Sequence, residues 1–127
     1  MIFYTGVDGA RAGIGKAETA DPDLFFWEKS AVNPVLAGPP GGYNHMDFRD
    51  PFIWKEGGYW YMIVGSGLQN QGGGLLFSFR SADLLRWQVI DPVFQRSDVA
   101  TTGLFWEMPS MTRLNDTDSL LSITPVP

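Results

Sequence analysis

Short apolar runs bounded by Gly, Pro, Asn or Asp recur along the chain: "MIFYTGV" (1–7), "YWYMIVGS" (59–66), "LLFSFRS" (75–81), "WQVI" (87–90) and "SLLSITP" (119–125). β-branched and aromatic residues dominate them, which predicts strands rather than helices. A further hydrophobic strand follows the triplet Arg49-Asp50-Pro51. "KEGG" (55–58), "GGG" (72–74) and "LNDTDS" (114–119) read as hairpin turns. No segment predicts a helix of any length, and "ADLL" (82–85) forms one helical turn at most. Asp8, in "GVDGAR", is a turn residue.

The pattern repeats. "DLFFWEKSAVNPVL", from Asp23, parallels "DLLRWQVIDPVF", from Asp83, and Trp27 and Trp87 stand 60 positions apart. "FRDPFIWKEGGYWYMIV" lies over "FWEMPSMTRLNDTDSLLSI", which pairs Asp50 with Glu107 at a separation of 57. The chain therefore holds about two copies of a four-strand unit, beginning and ending partway through one. A repeated four-stranded antiparallel sheet is the signature of a β-propeller blade, and propellers carry about 4 to 8 of them. The expected fold is all-β, about two blades of a propeller: 1–40 the end of blade one, 41–97 blade two, and 98–127 the start of blade three. Two blades do not close a ring, so missing blades or self-association are expected to cover their edges. A compact eight-strand sandwich with an accidental repeat is the competing fold. Asp23, Trp27, Asp83 and Trp87 occur in both copies, which assigns them to turn capping and inter-sheet packing.

Composition narrows the partners. The chain has 127 residues, 9 Lys+Arg against 14 Asp+Glu and a formal net charge of -5, with no basic stripe for nucleic acid. No stretch approaches the roughly 18 apolar residues of a membrane span. With no cysteine and one histidine, His45, it offers neither a disulfide framework nor a metal cluster, and no cofactor is expected. His45 reads as a solvated loop residue. "GGG" lacks the Lys and helix of a phosphate loop. The start has no basic segment followed by an apolar run, and the compartment stays open.

In a propeller the innermost strand of each blade lines the axis, so Asp50 and Glu107 are expected to approach one pocket. The triplet holding Asp50 also reads as an Asp-Pro turn with a surface ion pair. A carboxyl pair in an aromatic-lined pocket suits glycosidic bond cleavage: one protonates the leaving oxygen, another stabilises an oxocarbenium-like centre. Trp54 and Trp106 are candidates to stack on sugar, although large aromatics also fill cores.

"FRDP" (48–51), "GGYWYMIVGS" (57–66), "LLFSFRSADLLRWQ" (75–88) and "FWEMPSMTRL" (105–114) stand in an order and spacing that resembles glycoside hydrolase family 32, the invertase, levanase and inulinase group. "FYTG" and "WEKSAVNPVL" are similar to segments upstream of its Arg-Asp-Pro motif. The resemblance implies a five-bladed propeller acting on sucrose or a fructan with retention. It implies Asp50 as transition-state stabiliser holding the fructosyl 3- and 4-hydroxyls, Glu107 as general acid/base, and Arg49 as a substrate-binding residue that positions carboxylates. An Arg beside Asp50 favours its ionised form, and a Glu between Trp106 and Met108 is expected to be partly desolvated. Two departures stand out. Met108 replaces the family's Cys after the Glu and is expected to serve as a packing residue. Nothing in 1–20 resembles the Asn-Asp-Pro-Asn-Gly nucleophile segment, so this stretch alone is expected to be inactive. The rival readings are a non-catalytic carbohydrate-binding or ring-assembling module, and a sister-family enzyme acting on arabinose- or xylose-containing polymers.

Overall fold

The computed structural model describes the backbone of residues 1–127 and every side chain outside 91–93, so the Asp-Pro-Val part of the repeat lies outside the described side chains. Strands β1 (Ile2–Asp8), β2 (Arg11–Glu18) and the two-residue β3 (Glu28–Lys29) form one antiparallel sheet. Strands β4 (Phe48–Glu56), β5 (Tyr59–Gly67), β6 (Gly74–Ser81) and β7 (Gln88–Gln95) make a four-stranded antiparallel meander. A hairpin of β8 (Phe105–Arg113) and β9 (Ser119–Val126) joins the meander through a single pair, Gly67 with Phe105. The chain is all-β, a partial propeller: a four-stranded meander with a three-stranded sheet before it and a hairpin after it.

Strand β2 was not among the runs expected from sequence. Its glycines and its lysine dilute the apolar signal, yet Ala12, Ile14, Lys16 and Ala17 are all buried. Helix is confined to one turn at Val99–Thr102 and a 3-10 turn at Gln69–Gln71 in the β5–β6 loop. "ADLL" is not a helical turn, because Leu84 takes φ +65°. There Asp83 Oδ1 accepts the backbone N–H of Leu85 (2.9 Å) and of Arg86 (2.8 Å), a side-chain cap on a tight turn. The first copy bends likewise at Leu24, φ +61°. Its cap is Asp21, not Asp23: Asp21 accepts the N–H of Asp23, Phe25 and Phe26. Trp87 meets the core, edge-on to Phe3 at 5.9 Å. Trp27 instead stays at its own turn and donates to the Leu24 carbonyl. The repeat therefore conserves a bend while changing which residue caps it.

The core lies between the first sheet and the meander. Ala12 and Ile14 of β2 face Phe48, Met62, Val64, Leu75, Phe77 and Phe79. Phe48 meets both Phe77 and Phe79 ring edge to face, at 5.9 and 6.1 Å. Burying each such ring is worth about 1.5–3 kcal/mol, which holds β4 against its neighbours. On the meander's other face Gly74 receives the Trp106 indole, 3% exposed, beside Phe94 at 5.4 Å, and Gly65 makes room for the Trp106 backbone. Packing across both faces brings β4 and β8, the first strands of successive units, side by side.

Candidate functional site

Each of these two strands breaks its pairing near its start. The register of β4 on β5 shifts between Arg49 and Phe52, and that of β8 on β9 shifts between Glu107 and Ser110. In both, a residue with positive φ precedes a proline: Asp50 (φ +57°) before Pro51, and Met108 (φ +47°) before Pro109. Proline cannot donate to the ladder, and such bulges re-aim side chains beside sites. Positive φ before proline is disfavoured for both residues, so the surrounding structure must over-determine it. The residue equivalent to Asp50 is thus Met108, and Glu107 corresponds to Arg49. The sequence register pairing Asp50 with Glu107 is one position off, because it ignored the matched bulges.

Cross-strand bonds knit the two bulges together. Asp50 Oδ2 accepts the Met108 N–H at 3.0 Å, and Thr5 Oγ1 of β1 accepts the Asp50 N–H at 3.0 Å. Arg49 Nη1 donates to Glu107 Oε1 at 3.1 Å. Arg49 Nη2 donates to Asp47 Oδ1 (3.2 Å) and the Met46 carbonyl (2.9 Å). The Phe105 ring lies 5.3 Å from the guanidinium carbon, within cation–π range. Arg49 therefore serves Glu107 and Asp47, not Asp50, whose carboxylate accepts the Met108 N–H. The expectation that Arg49 ionises Asp50 is replaced by this arrangement.

Asp50 lines an open depression of about 520 Å³ with Tyr4, Thr5, Phe52, Met108 and Ser110. Glu107 stands one residue from its rim with its side chain 27% exposed, on the same guanidinium that borders Asp50 in sequence. Met108 is 59% exposed and forms part of the rim, which corrects its reading as a packing residue. Neither tryptophan reaches the depression. Trp106 is buried with Nε1 donating to the Thr102 carbonyl at 2.7 Å, because its alternation on β8 turns it onto the glycine patch. Trp54 stacks on Tyr61 at 5.4 Å and borders a separate groove with Glu56 and Arg113. The aromatics that line the depression with Asp50 are Phe3, Tyr4 and Phe52. His45 is an exposed loop residue whose carbonyl accepts the Ala12 N–H.

Asp47, Phe105 and Thr5 were not singled out from sequence. Asp47 alone left a signal, an acid two positions before Arg49. The other two arrive from different strands, and only packing brings them in.

Two carboxylates at matched bulges on neighbouring first strands, Asp50 accepting the Met108 N–H and Glu107 bound by Arg49, define a propeller with an acid-bearing face. Residues 1–126 match the model of the Glycosyl hydrolases family 32 N-terminal domain, and the chain belongs to that family. It is 33% identical over 127 residues to the sucrose-6-phosphate hydrolase of Klebsiella pneumoniae, covering 94% of this chain and 26% of that protein. A Bombyx mori GH32 beta-fructofuranosidase solved in complex with sucrose superposes with a TM-score of 0.79 at 29% identity, over 97% of this chain and 26% of that one. Fructan 1-exohydrolase IIa from Cichorium intybus, in complex with 1-kestose, gives 0.73 at 29% identity, over 86% and 20%. The chain spans about a fifth to a quarter of the length of the curated relatives it matches.

Proposed function

We propose that the chain is part of the catalytic propeller of a β-fructofuranosidase that hydrolyses sucrose or a fructan with retention of configuration. The observation that carries this reading is the placement of Asp50 and Glu107 at matched bulges on adjacent first strands, with the Asp50 carboxylate on the depression and Glu107 fixed by Arg49. In the proposed reaction Glu107 protonates the glycosidic oxygen as the bond to the fructosyl carbon breaks. Asp50 accepts hydrogen bonds from fructosyl hydroxyls and stabilises positive charge on the sugar. A carboxylate outside this stretch attacks, and Glu107 then takes a proton from the incoming water. Phe52 and Met108 offer apolar surface to the sugar, while Trp54 and Trp106 take no part in binding it.

The 127-residue stretch alone is proposed not to hydrolyse substrate, since nothing in 1–20 matches the nucleophile segment. The strand order supports 41–97 as one whole blade flanked by parts of two others. Further propeller strands are proposed to cover the outer face of β1–β2, around Tyr4, Gly13 and Gly15, where a depression of about 580 Å³ remains. The test is fructose release from sucrose, inulin and levan. The 127-residue chain is expected to release none. A complete family 32 catalytic domain carrying the chain is expected to be active, and Glu107→Gln to lower its kcat by at least about 100-fold. Activity retained in Glu107→Gln overturns the assignment.

A further inference from the structure

Resting on the reading of Glu107 as the general acid, we propose that Asp47 is a positioning residue that keeps Arg49 bound to a single oxygen of Glu107. Arginine's planar fork grips a carboxylate with two parallel N–H bonds wherever both terminal nitrogens are free. Here only Nη1 reaches Glu107, at Oε1. Nη2 is taken by Asp47 Oδ1 and the Met46 carbonyl, and Nε is buried without a partner. A bidentate grip would occupy both oxygens of Glu107, including the one that must carry and release a proton. By holding Nη2 away, Asp47 leaves Oε2 open for that work.

The surroundings of Asp47 are shaped for this task. Its second oxygen, Oδ2, accepts the Asn44 amide N–H at 2.6 Å, so both carboxylate oxygens are engaged. Its carbonyl accepts from Ser66 Oγ and from the Gly67 N–H, which pins the segment to the end of β5. A Cβ at Gly67 would stand 3.2 Å from Oδ2 and 3.3 Å from the Asp47 Cβ, so glycine keeps the carboxylate's seat clear. Asp47 touches neither the depression nor Glu107. Its effect passes through Arg49.

The experiment measures kcat and KM in a complete family 32 catalytic domain carrying this chain, on whichever of sucrose, inulin and levan it hydrolyses best. Asp47→Asn is expected to lower kcat about tenfold, a fraction of what a general acid supplies, with KM changed less than about twofold. In an Arg49→Lys background, where an ammonium cannot form the planar two-point grip, Asp47→Asn is expected to leave kcat unchanged. A merely structural role would cost the same in both backgrounds. That outcome, or an unaltered kcat in Asp47→Asn alone, overturns the proposal while the role of Glu107 stands. If Glu107→Gln keeps full activity, the functional reading fails and the proposal fails with it.

Discussion

Substituting Gly65 by alanine tests whether the glycine patch under Trp106 sets the position of the acid-bearing strand. A Cβ built at Gly65 overlaps the Trp106 carbonyl oxygen and lies 3.1 Å from its carbonyl carbon. These are backbone atoms of β8, so no rotamer change relieves the clash. Opening the contact to ordinary van der Waals range displaces one strand by about 1 Å. Glu107 is the next residue along β8, and its bond to Arg49 is 3.1 Å. A displacement of that size stretches it to about 4 Å, beyond hydrogen-bonding range. Overpacking of this kind costs about 1–3 kcal/mol. With a urea dependence of about 2 kcal/mol per M, the unfolding midpoint falls by about 0.5–1.5 M. The control is Gly6→Ala in β1, where no atom lies within 4 Å of the added methyl, so steric cost is absent. The assay is urea unfolding, with fructose release, in the complete catalytic domain carrying each substitution. A Gly65→Ala protein as stable and active as the Gly6→Ala control refutes the reasoning, since β8 would then move freely over the patch.

Two further outcomes are expected. The caps Asp21 and Asp83 have carboxyl groups held below the ordinary value of 3.8, chiefly by the backbone N–H of Asp23 and of Arg86. Their contribution is present above that value and lost as pH falls through the lowered folded values, so Asp83→Asn should flatten the acid limb of stability against pH. An unchanged acid limb counts against this. Met108 combines an exposed side chain with φ +47°, a conformation that costs a non-glycine residue about 1–2 kcal/mol. Met108→Gly should therefore hold or raise the unfolding free energy, by about 0.5 kcal/mol after glycine's greater unfolded-state entropy is counted. A clear loss would mean that the thioether packs against something the rim does not show.

Much of the architecture was legible from local pattern. The apolar runs at 59–66, 75–81 and 119–125 became β5, β6 and β9, because short β-branched and aromatic runs between turn signals are a local property. The repeat named the four-strand unit, and the Arg-Asp-Pro and Trp-Glu motifs named the family. The strand β2 escaped because Gly13 and Gly15 carry no side chain to show a pattern. Their spaces are set by other segments, the Leu36 carbonyl over Gly13 and the Tyr4 ring over Gly15. At the site, sequence supplied the residue types and tertiary structure chose their partners. Asp50 and Glu107 were legible, but not the one-residue offset between them, since only pairing shows that the bulges match at Arg49 and Glu107. Arg49 went to Glu107 rather than to the aspartate beside it because the bulge at Asp50 turns that carboxylate onto the Met108 N–H. The same alternation sent Trp106 into the interior while Glu107, one step further, stayed at the surface. What the chain alone determined is which strands form and which acids they carry. Where each acid points, and which charge it meets, was decided by the packing of β8 on the glycines of the meander.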